Sequence, residues 1–256
     1  MPIPYIQSHT WSLGPLVFQT WGTFVALGIL LGLLVSRKRA KSLGLDDRII
    51  FDCATWTIIA ALVGSRLAHI LFYEPATYIA NPLEIFRIWN GGMSVMGGFA
   101  AAFLVGVWFL RKKQVDIWRY ADAMIFGLPV GLMIGRIGCF LIHDHPGTAS
   151  DLILSVKYPD GVSRLDHGLL LSINGGLMAL FFLWLSRKTR PAGTYVAAFA
   201  LWYGVIRFIL DFYRIIDAKY FGLTPAQYIS ALMAGFGGYF LWRLLCSYDK
   251  IKKSHS

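Results

Sequence analysis

Charge is what this chain has least of. Only 15% of its 256 residues are Asp, Glu, Lys or Arg, where a soluble domain carries about a quarter. Acidic residues are the scarcer kind, 14 against 24 basic ones, for a formal net charge of +10. Hydrophobic residues make up 56% of the chain and its mean hydropathy is +0.56, which excludes an ordinary soluble fold and points to a membrane protein. The positive balance does not signal nucleic acid, because the basic residues stand in short blocks between apolar runs and form no interleaved patch. Cysteine is also sparse. Cys53, Cys139 and Cys246 lie far apart with no CxxC spacing, so neither a disulfide framework nor a zinc site is expected. His143-Asp144-His145 are adjacent residues that rarely ligate one ion, and no HExxH occurs, so no metal site is expected. The first residues lack the basic stretch of a cleavable signal peptide. No period of 20–50 residues appears, so residues 1–256 are expected to form one transmembrane helical domain.

What is there is a series of long apolar runs. About 20 apolar residues cross a bilayer as a helix, and seven runs qualify: about 15–36, 49–73, 93–110, 121–142, 168–186, 195–213 and 225–245. The expected fold is all-α, a polytopic integral membrane protein of about seven transmembrane helices. Residues 74–92, with Pro75, Pro82, Trp89 and other aromatics, are expected to lie at the headgroup level. Residues 143–167 form a polar segment with turn signals at Pro146-Gly147 and Pro159-Asp160-Gly161. The basic blocks 37–41, 111–113, 187–190 and 250–253 follow spans one, three, five and seven. They therefore share one side, which the positive-inside rule makes the cytoplasm. The N-terminus, residues 143–167 and the loop with Asp217 and Lys219 are then outside. Gly131, Gly135 and Gly138 share a face of span four, and Gly97 and Gly98 open span three; small residues let membrane helices approach closely.

Three arginines break the apolar runs: Arg66, Arg136 and Arg207. A charge inside a membrane span is costly and marks a functional site unless it is only paired or anchored. Arg136, Cys139 and His143 share one helical face by i, i+3, i+7 spacing, and Arg207, Asp211 and Arg214 share another by i, i+4, i+7. Guanidinium groups stay charged and grip phosphate with two donors. Several of them near the outer leaflet point to a pocket for a phosphate-bearing lipid head. Structural ion pairs, Arg207 with Asp211 and Arg136 with Asp144, are the competing reading. His69, His143, His145 and His167 gather towards the same outer face, and histidine is the usual proton acceptor near neutral pH.

These residues also carry a family resemblance over nearly the whole chain. Gly64-Ser65-Arg66-Leu67-Ala68-His69-Ile70-Leu71-Phe72-Tyr73 is similar to GGRxGYxLFY of the bacterial prolipoprotein diacylglyceryl transferases. Phe86-Arg87-Ile88-Trp89-Asn90-Gly91-Gly92-Met93-Ser94 resembles FRxWxGGMS, and Gly135-Arg136-Ile137-Gly138 with Phe140 resembles GRxGNFxNGE. Tyr203-Gly204-Val205-Ile206-Arg207-Phe208 with Asp211 and Arg214 resembles YGxxRFxxEFxR, and Gln227-Tyr228-Ile229-Ser230 resembles QYxS. The resemblance implies a seven-span enzyme of the bacterial cytoplasmic (inner) membrane. Its partners would be the lipid bilayer, phosphatidylglycerol and the lipobox peptide of a prolipoprotein, and not nucleic acid. It would move the diacylglyceryl group of phosphatidylglycerol to the lipobox cysteine thiol and release glycerol phosphate, and the resemblance implies no metal or organic cofactor.

Several positions depart from the family pattern. Val95 and Met96 stand where the family has an aromatic and a histidine, Cys139 replaces an asparagine, and Trp21 replaces a tyrosine. The family's NGE is Ile142-His143-Asp144, Gly147 keeps the small residue that follows, and HPSQLYE has no clear counterpart near His167. The expected catalytic residues are accordingly His143 or His145 as base, oriented by Asp144, with Arg207. Arg66, Arg136, Cys139, Asp211 and Arg214 are expected to bind substrate. The alternatives are a divergent paralogue that transfers a lipid-derived group to another acceptor, and a non-catalytic lipid-binding membrane protein.

Overall fold

The computed structural model describes residues 2–87, 91–215 and 219–254, apart from the side chains of Val95 and residues 247–254. Ile88, Trp89 and Asn90 of the second motif, Asp217, and the side chains of Lys250, Lys252 and Lys253 lie outside the described residues. The chain begins with three short strands, β1 (Ile3–Pro4), β2 (Thr10–Leu13) and β3 (Leu16–Gln19). Four helices and a 3-10 turn follow: α1 (Thr20–Ser42), α2 (Asp47–Phe72), α3 (Pro75–Ala80), the 3-10 turn Pro82–Phe86, and α4 (Val95–Lys112). After α5 (Ile117–Ile142) come three strands, β4 (Pro146–Ala149), β5 (Ser155–Lys157) and β6 (Ser163–Asp166). The remaining helices are α6 (His167–Leu185), α7 (Thr194–Asp211) and α8 (Pro225–Ser254).

Among the described residues, six helices are long and apolar enough to cross a membrane: α1, α2, α5, α6, α7 and residues 225–246 of α8. The expected third span corresponds to α4, an 18-residue helix that is not one of those six. Large apolar side chains face outwards along the helices. Phe99, Phe103, Leu180, Leu232 and Trp242 are all more than 60% exposed, which suits lipid as the surrounding solvent and not water. The chain divides into two compact units, residues 40–120 and residues 1–39 with 121–256.

In the first of these units, α2 and α4 pack side by side. The approach is close enough that a Cβ on Gly64 would stand 2.9 Å from the Gly97 carbonyl oxygen, the small-residue contact that membrane helices use. Asp46 caps α2 by accepting from Arg48 N at 2.9 Å. Ser94 begins α4 and donates its own backbone N–H to the Ser65 carbonyl at 2.9 Å. Between the two helices, Ile79, Leu83 and Phe86 are more than 70% exposed.

In the other unit, α1 lies against α5. A Cβ on Gly28 would meet the Gly131 carbonyl oxygen at 2.5 Å, so only glycine admits this contact. The core joins α5, α6 and α7 through Phe126, Met178, Phe182, Leu185, Tyr195, Ala198 and Phe199. Polar ties fix the helices within it. Trp202 Nε1 donates to Asn174 Oδ1 at 2.8 Å, and Asp122 accepts from Gly193 N at 2.8 Å and Val196 N at 2.9 Å, capping α7 from α5.

The segment expected as a polar connection, 143–167, contains strands. β4, β5 and β6 join β1 in a four-stranded sheet ordered β1-β5-β6-β4, with β1 parallel to β5 and the other pairs antiparallel. Two to four residues per strand are too few to write an alternating pattern into the sequence. A second, two-stranded sheet pairs β2 with β3 just before α1. It occupies the start of the expected first span, because Trp11–Phe18 pairing sets up a hairpin there before the helix begins at Thr20.

Candidate functional site

The site develops where the last turn of α5, the start of α6 and the end of α7 meet the four-stranded sheet. The last turn of α5 leaves carbonyls without helical partners. Ser8 N donates to the Leu141 carbonyl at 2.9 Å and the Gln7 side chain to the Ile142 carbonyl at 3.2 Å. His143 then leaves the helix with φ of 52°, its N–H returning to the Cys139 carbonyl at 3.0 Å. The left-handed region favours glycine, and glycine is what the motif NGE has at this place. Four residues on, Gly147 bridges to Arg214, and a Cβ there would stand 2.7 Å from the Leu165 carbonyl oxygen and 3.0 Å from that of Tyr213. The bridge ties the start of the sheet to the end of α7.

The His143-Asp144-His145 cluster is split by this turn. His143 points inward: its Nδ1 lies 2.7 Å from Asp166 Oδ2 and its Nε2 lies 3.2 Å from the Ile6 carbonyl. Both ring nitrogens therefore face partners supplied by the fold, and neither is open to a substrate. Tyr5 stacks on the ring with centroids 4.2 Å apart, and the His143 and Asp166 side chains are each only 1% exposed. Asp166 also accepts from Tyr158 Oη at 3.0 Å and caps α6 through Leu169 N at 3.1 Å. Burial, and then the neighbouring Asp166 carboxylate, push the Tyr158 phenol up, so it stays protonated and remains a donor. His145 points the other way. Its Nδ1 stands 2.5 Å from Asp144 Oδ1, at ion-pair distance though off the hydrogen-bonding line, and its side chain is 33% exposed. Asp144 therefore partners His145, and His143 has a different carboxylate.

Cations gather on the other side. Arg207 Nη2 is 3.2 Å and Arg214 Nη1 3.5 Å from Asp211 Oδ1, and the Asp211 side chain is fully buried. Thr224 Oγ1 donates to the other oxygen of Asp211. Thr224 N donates to Gln227 Oε1 at 2.9 Å, and Gln227 Nε2 donates to the Phe208 carbonyl at 3.3 Å. The QYxS-like stretch thus locks α8 to α7 and holds the carboxylate between the two arginines. Arg136 is within electrostatic reach of Arg207. Its hydrogen bond among the described residues runs from Nη1 to the Cys139 sulfur at 3.7 Å, and it makes no ion pair with Asp144 there. A thiol is a weak acceptor, so most of the Arg136 donors stay uncommitted. His167, only 1% exposed, lies among Arg214, Arg207, His145 and Asp211, and neither of its ring nitrogens finds a partner among the described residues. Arg136, Cys139, Asp144, His145, His167, Arg207, Asp211 and Arg214 therefore share one region of one unit.

Arg66 and His69 belong to the other unit. Arg66 donates to the carbonyls of Glu84, Ile85, Arg87, Gly91 and Gly92, at 3.1 Å to Ile85 and 2.5 Å to Gly91. Its guanidinium also lies 5.1 Å from the Tyr78 ring centroid. A phosphate would have to displace those carbonyls. His69 stacks on Tyr73 and lies 3.9 Å from Glu74.

The chain matches the family model of the prolipoprotein diacylglyceryl transferases over residues 8–243. It belongs to this family. A phosphatidylglycerol–prolipoprotein diacylglyceryl transferase of Bordetella parapertussis is 32% identical over 249 residues, covering 92% of this chain and 95% of the relative. One from Pseudomonas putida is 32% identical over 255 residues, 94% and 95% of the two chains. One from Solidesulfovibrio magneticus is 35% identical over 246 residues, 91% of each. With its membrane-crossing helices, the chain is a multi-pass membrane protein and a transferase by family. Asp166, Tyr158 and Tyr5, which hold His143, were not singled out from sequence. Asp166 carried a usable signal, an aspartate directly before an apolar run, the mark of a helix cap. Tyr5 and Tyr158 carried none.

Proposed function

We propose that this protein transfers the diacylglyceryl group of phosphatidylglycerol to the cysteine thiol of a prolipoprotein lipobox. The observation that carries the reading is the set of three guanidinium groups, Arg136, Arg207 and Arg214, beside the Asp144–His145 pair. Asp211 neutralises part of that charge and holds two of the three arginines in place, which leaves cationic capacity for a phosphate.

The acceptor thiol gives its proton to Nε2 of His145, whose Nδ1 faces Asp144. The sulfur then attacks the glycerol carbon that bears the phosphate ester. A C–S bond forms, the C–O bond to phosphate breaks, and glycerol phosphate departs with its charge facing the arginines. Donors aimed at charge that develops in the transition state stabilise it more than they stabilise the ground state. His145 thereby takes the part for which the family has a histidine at the position of Met96. His167 supplies one N–H and one lone pair to the lipid head, since leaving both unmade costs about 1–3 kcal/mol for each buried polar group. We assign His143 to holding the end of α5 on the sheet, and Arg66 to binding the backbone of residues 84, 85, 87, 91 and 92, and give neither a part in the chemistry.

The test uses purified protein in vesicles with headgroup-labelled phosphatidylglycerol and a lipobox peptide. Thioether product and labelled glycerol phosphate should appear in equal amounts. Lipid consumption without a modified cysteine would place the chain with the divergent paralogues. Bound lipid without turnover would make it a binding protein.

A further inference from the structure

A second feature lies at the far end of the same helices. α6 runs 19 residues from His167 to Leu185, about 27 Å at 1.5 Å per residue, close to the roughly 30 Å of a bilayer's hydrocarbon core. At its Leu185 end, α6, α7 and α8 leave a groove of about 830 Å³. Its walls are apolar, with Phe181, Leu185, Ala198 and Leu244, and its rim carries Arg187, Lys188 and Arg190. No acidic side chain pairs with these three cations among the described residues, and all three are exposed. Trp184, 57% exposed, stands on the same edge, where an amphipathic ring suits the headgroup level. The basic blocks assign this end to the cytoplasm.

We propose that this groove binds an anionic phospholipid of the cytoplasmic leaflet, with acyl chains along α6 and α8 and the phosphate against Arg187, Lys188 and Arg190. The argument is charge complementarity. An apolar cleft between spanning helices already takes acyl chains, and three exposed cations at its mouth select a negative head over a zwitterionic one. The site is separate from the proposed reaction site, at the opposite ends of α6 and α7, and does not depend on the transfer reading.

The experiment uses the full chain in phosphatidylcholine nanodiscs doped with a photoactivatable phosphatidic acid, with adducts mapped by peptide mass spectrometry. Phosphatidic acid serves as the probe because it is not the proposed substrate. Saturable labelling is expected within residues 181–198 and 241–245. It should fall about tenfold or more when Arg187, Lys188 and Arg190 are all changed to Gln, since each juxtamembrane cation adds roughly fivefold to anionic-lipid binding. Leu245→Glu, at a position 53% exposed, should weaken it without removing any cation, which keeps the test sound if the triple variant does not fold. Millimolar inorganic phosphate should not compete, and Arg207→Ala should label as the parent does. Equal labelling by photoactivatable phosphatidylcholine, unchanged labelling in the charge variants, or displacement by free phosphate would each overturn the proposal.

Discussion

Arg66 and Arg136 are both cations set into apolar helices, and the structure uses them in opposite ways. Arg66 is 6% exposed and donates to five backbone carbonyls. Arg136 makes a single long contact to a sulfur among the described residues. The first arginine is already satisfied by the fold. The second is held in place with donors to spare, in the neighbourhood of Arg207. The same contrast separates two histidines two residues apart. His143 has both nitrogens committed to acceptors and is buried, whereas His145 has a carboxylate near one nitrogen and a side chain that is a third exposed. A buried polar group points to chemistry only when its bonding capacity is left over.

The largest effects should come from the arginines of the proposed site. Arg207→Ala and Arg136→Ala are expected to lower kcat/KM for lipid transfer by roughly 10²–10³-fold or more, the scale of one lost charge-stabilising donor. Both variants should stay folded. Arg66→Ala should instead lower the yield and melting temperature of the folded protein, because several buried carbonyls lose their partner at about 1–3 kcal/mol each. The contrast fails if folded Arg66→Ala protein, compared at equal concentration, loses transfer as fully as Arg207→Ala.

Next comes the histidine pair. His145→Ala is expected to cost about 10²–10⁴-fold in kcat, the range for a lost general base. His143→Ala should reduce thermal stability, with kcat per folded molecule within about tenfold of the parent, since it takes one of three partners from the buried Asp166 carboxylate without touching substrate. A stable His143→Ala protein with its kcat abolished would return that histidine to the mechanism.

Smaller effects separate binding from bonding. His167→Phe should raise KM for phosphatidylglycerol by about tenfold through one or two lost hydrogen bonds, and leave kcat within a few-fold. A kcat loss as large as that of His145→Ala would make His167 the proton acceptor. Cys139→Ser should change turnover by less than about threefold, because a hydroxyl keeps a contact to Arg136 that the thiol makes only weakly. Loss of all activity in that variant would show that the sulfur itself takes part.

Much of the fold was legible without coordinates. Runs of apolar residues place α2, α5, α6 and α7 to within a few residues, because a span must exceed a fixed length and be apolar throughout, whereas α1 lies five to six residues later than its run and α8 continues past its run into the basic tail. Packing through small residues was visible at Gly131 and Gly97, although their partners Gly28 and Gly64 were not. The strands β4, β5 and β6 were not legible, since strands of three or four residues leave no periodic trace and one of their partners is the distant β1.

The site divides in the same way. Helical spacing puts Arg207 and Asp211 on one face of α7, a local relation within one turn that the chain order determines. Arg214 was expected on the same face but lies past the helix end at Asp211, where its bridge to Gly147 brings it to the same carboxylate. Which histidine meets Asp144 is not local. The left-handed turn at His143 throws neighbouring side chains to opposite sides and hands His143 to Asp166, 23 residues away. The Arg66 partners are equally beyond sequence, because every residue carries a carbonyl and nothing in the letters marks the five that turn inward. The sequence by itself determined the membrane-spanning helices, the family and the identity of the charged groups, because those follow from apolar length and residue type. Only the tertiary structure decided which of those groups are already satisfied and which have donors and lone pairs left over, because that depends on where distant backbone atoms come to rest.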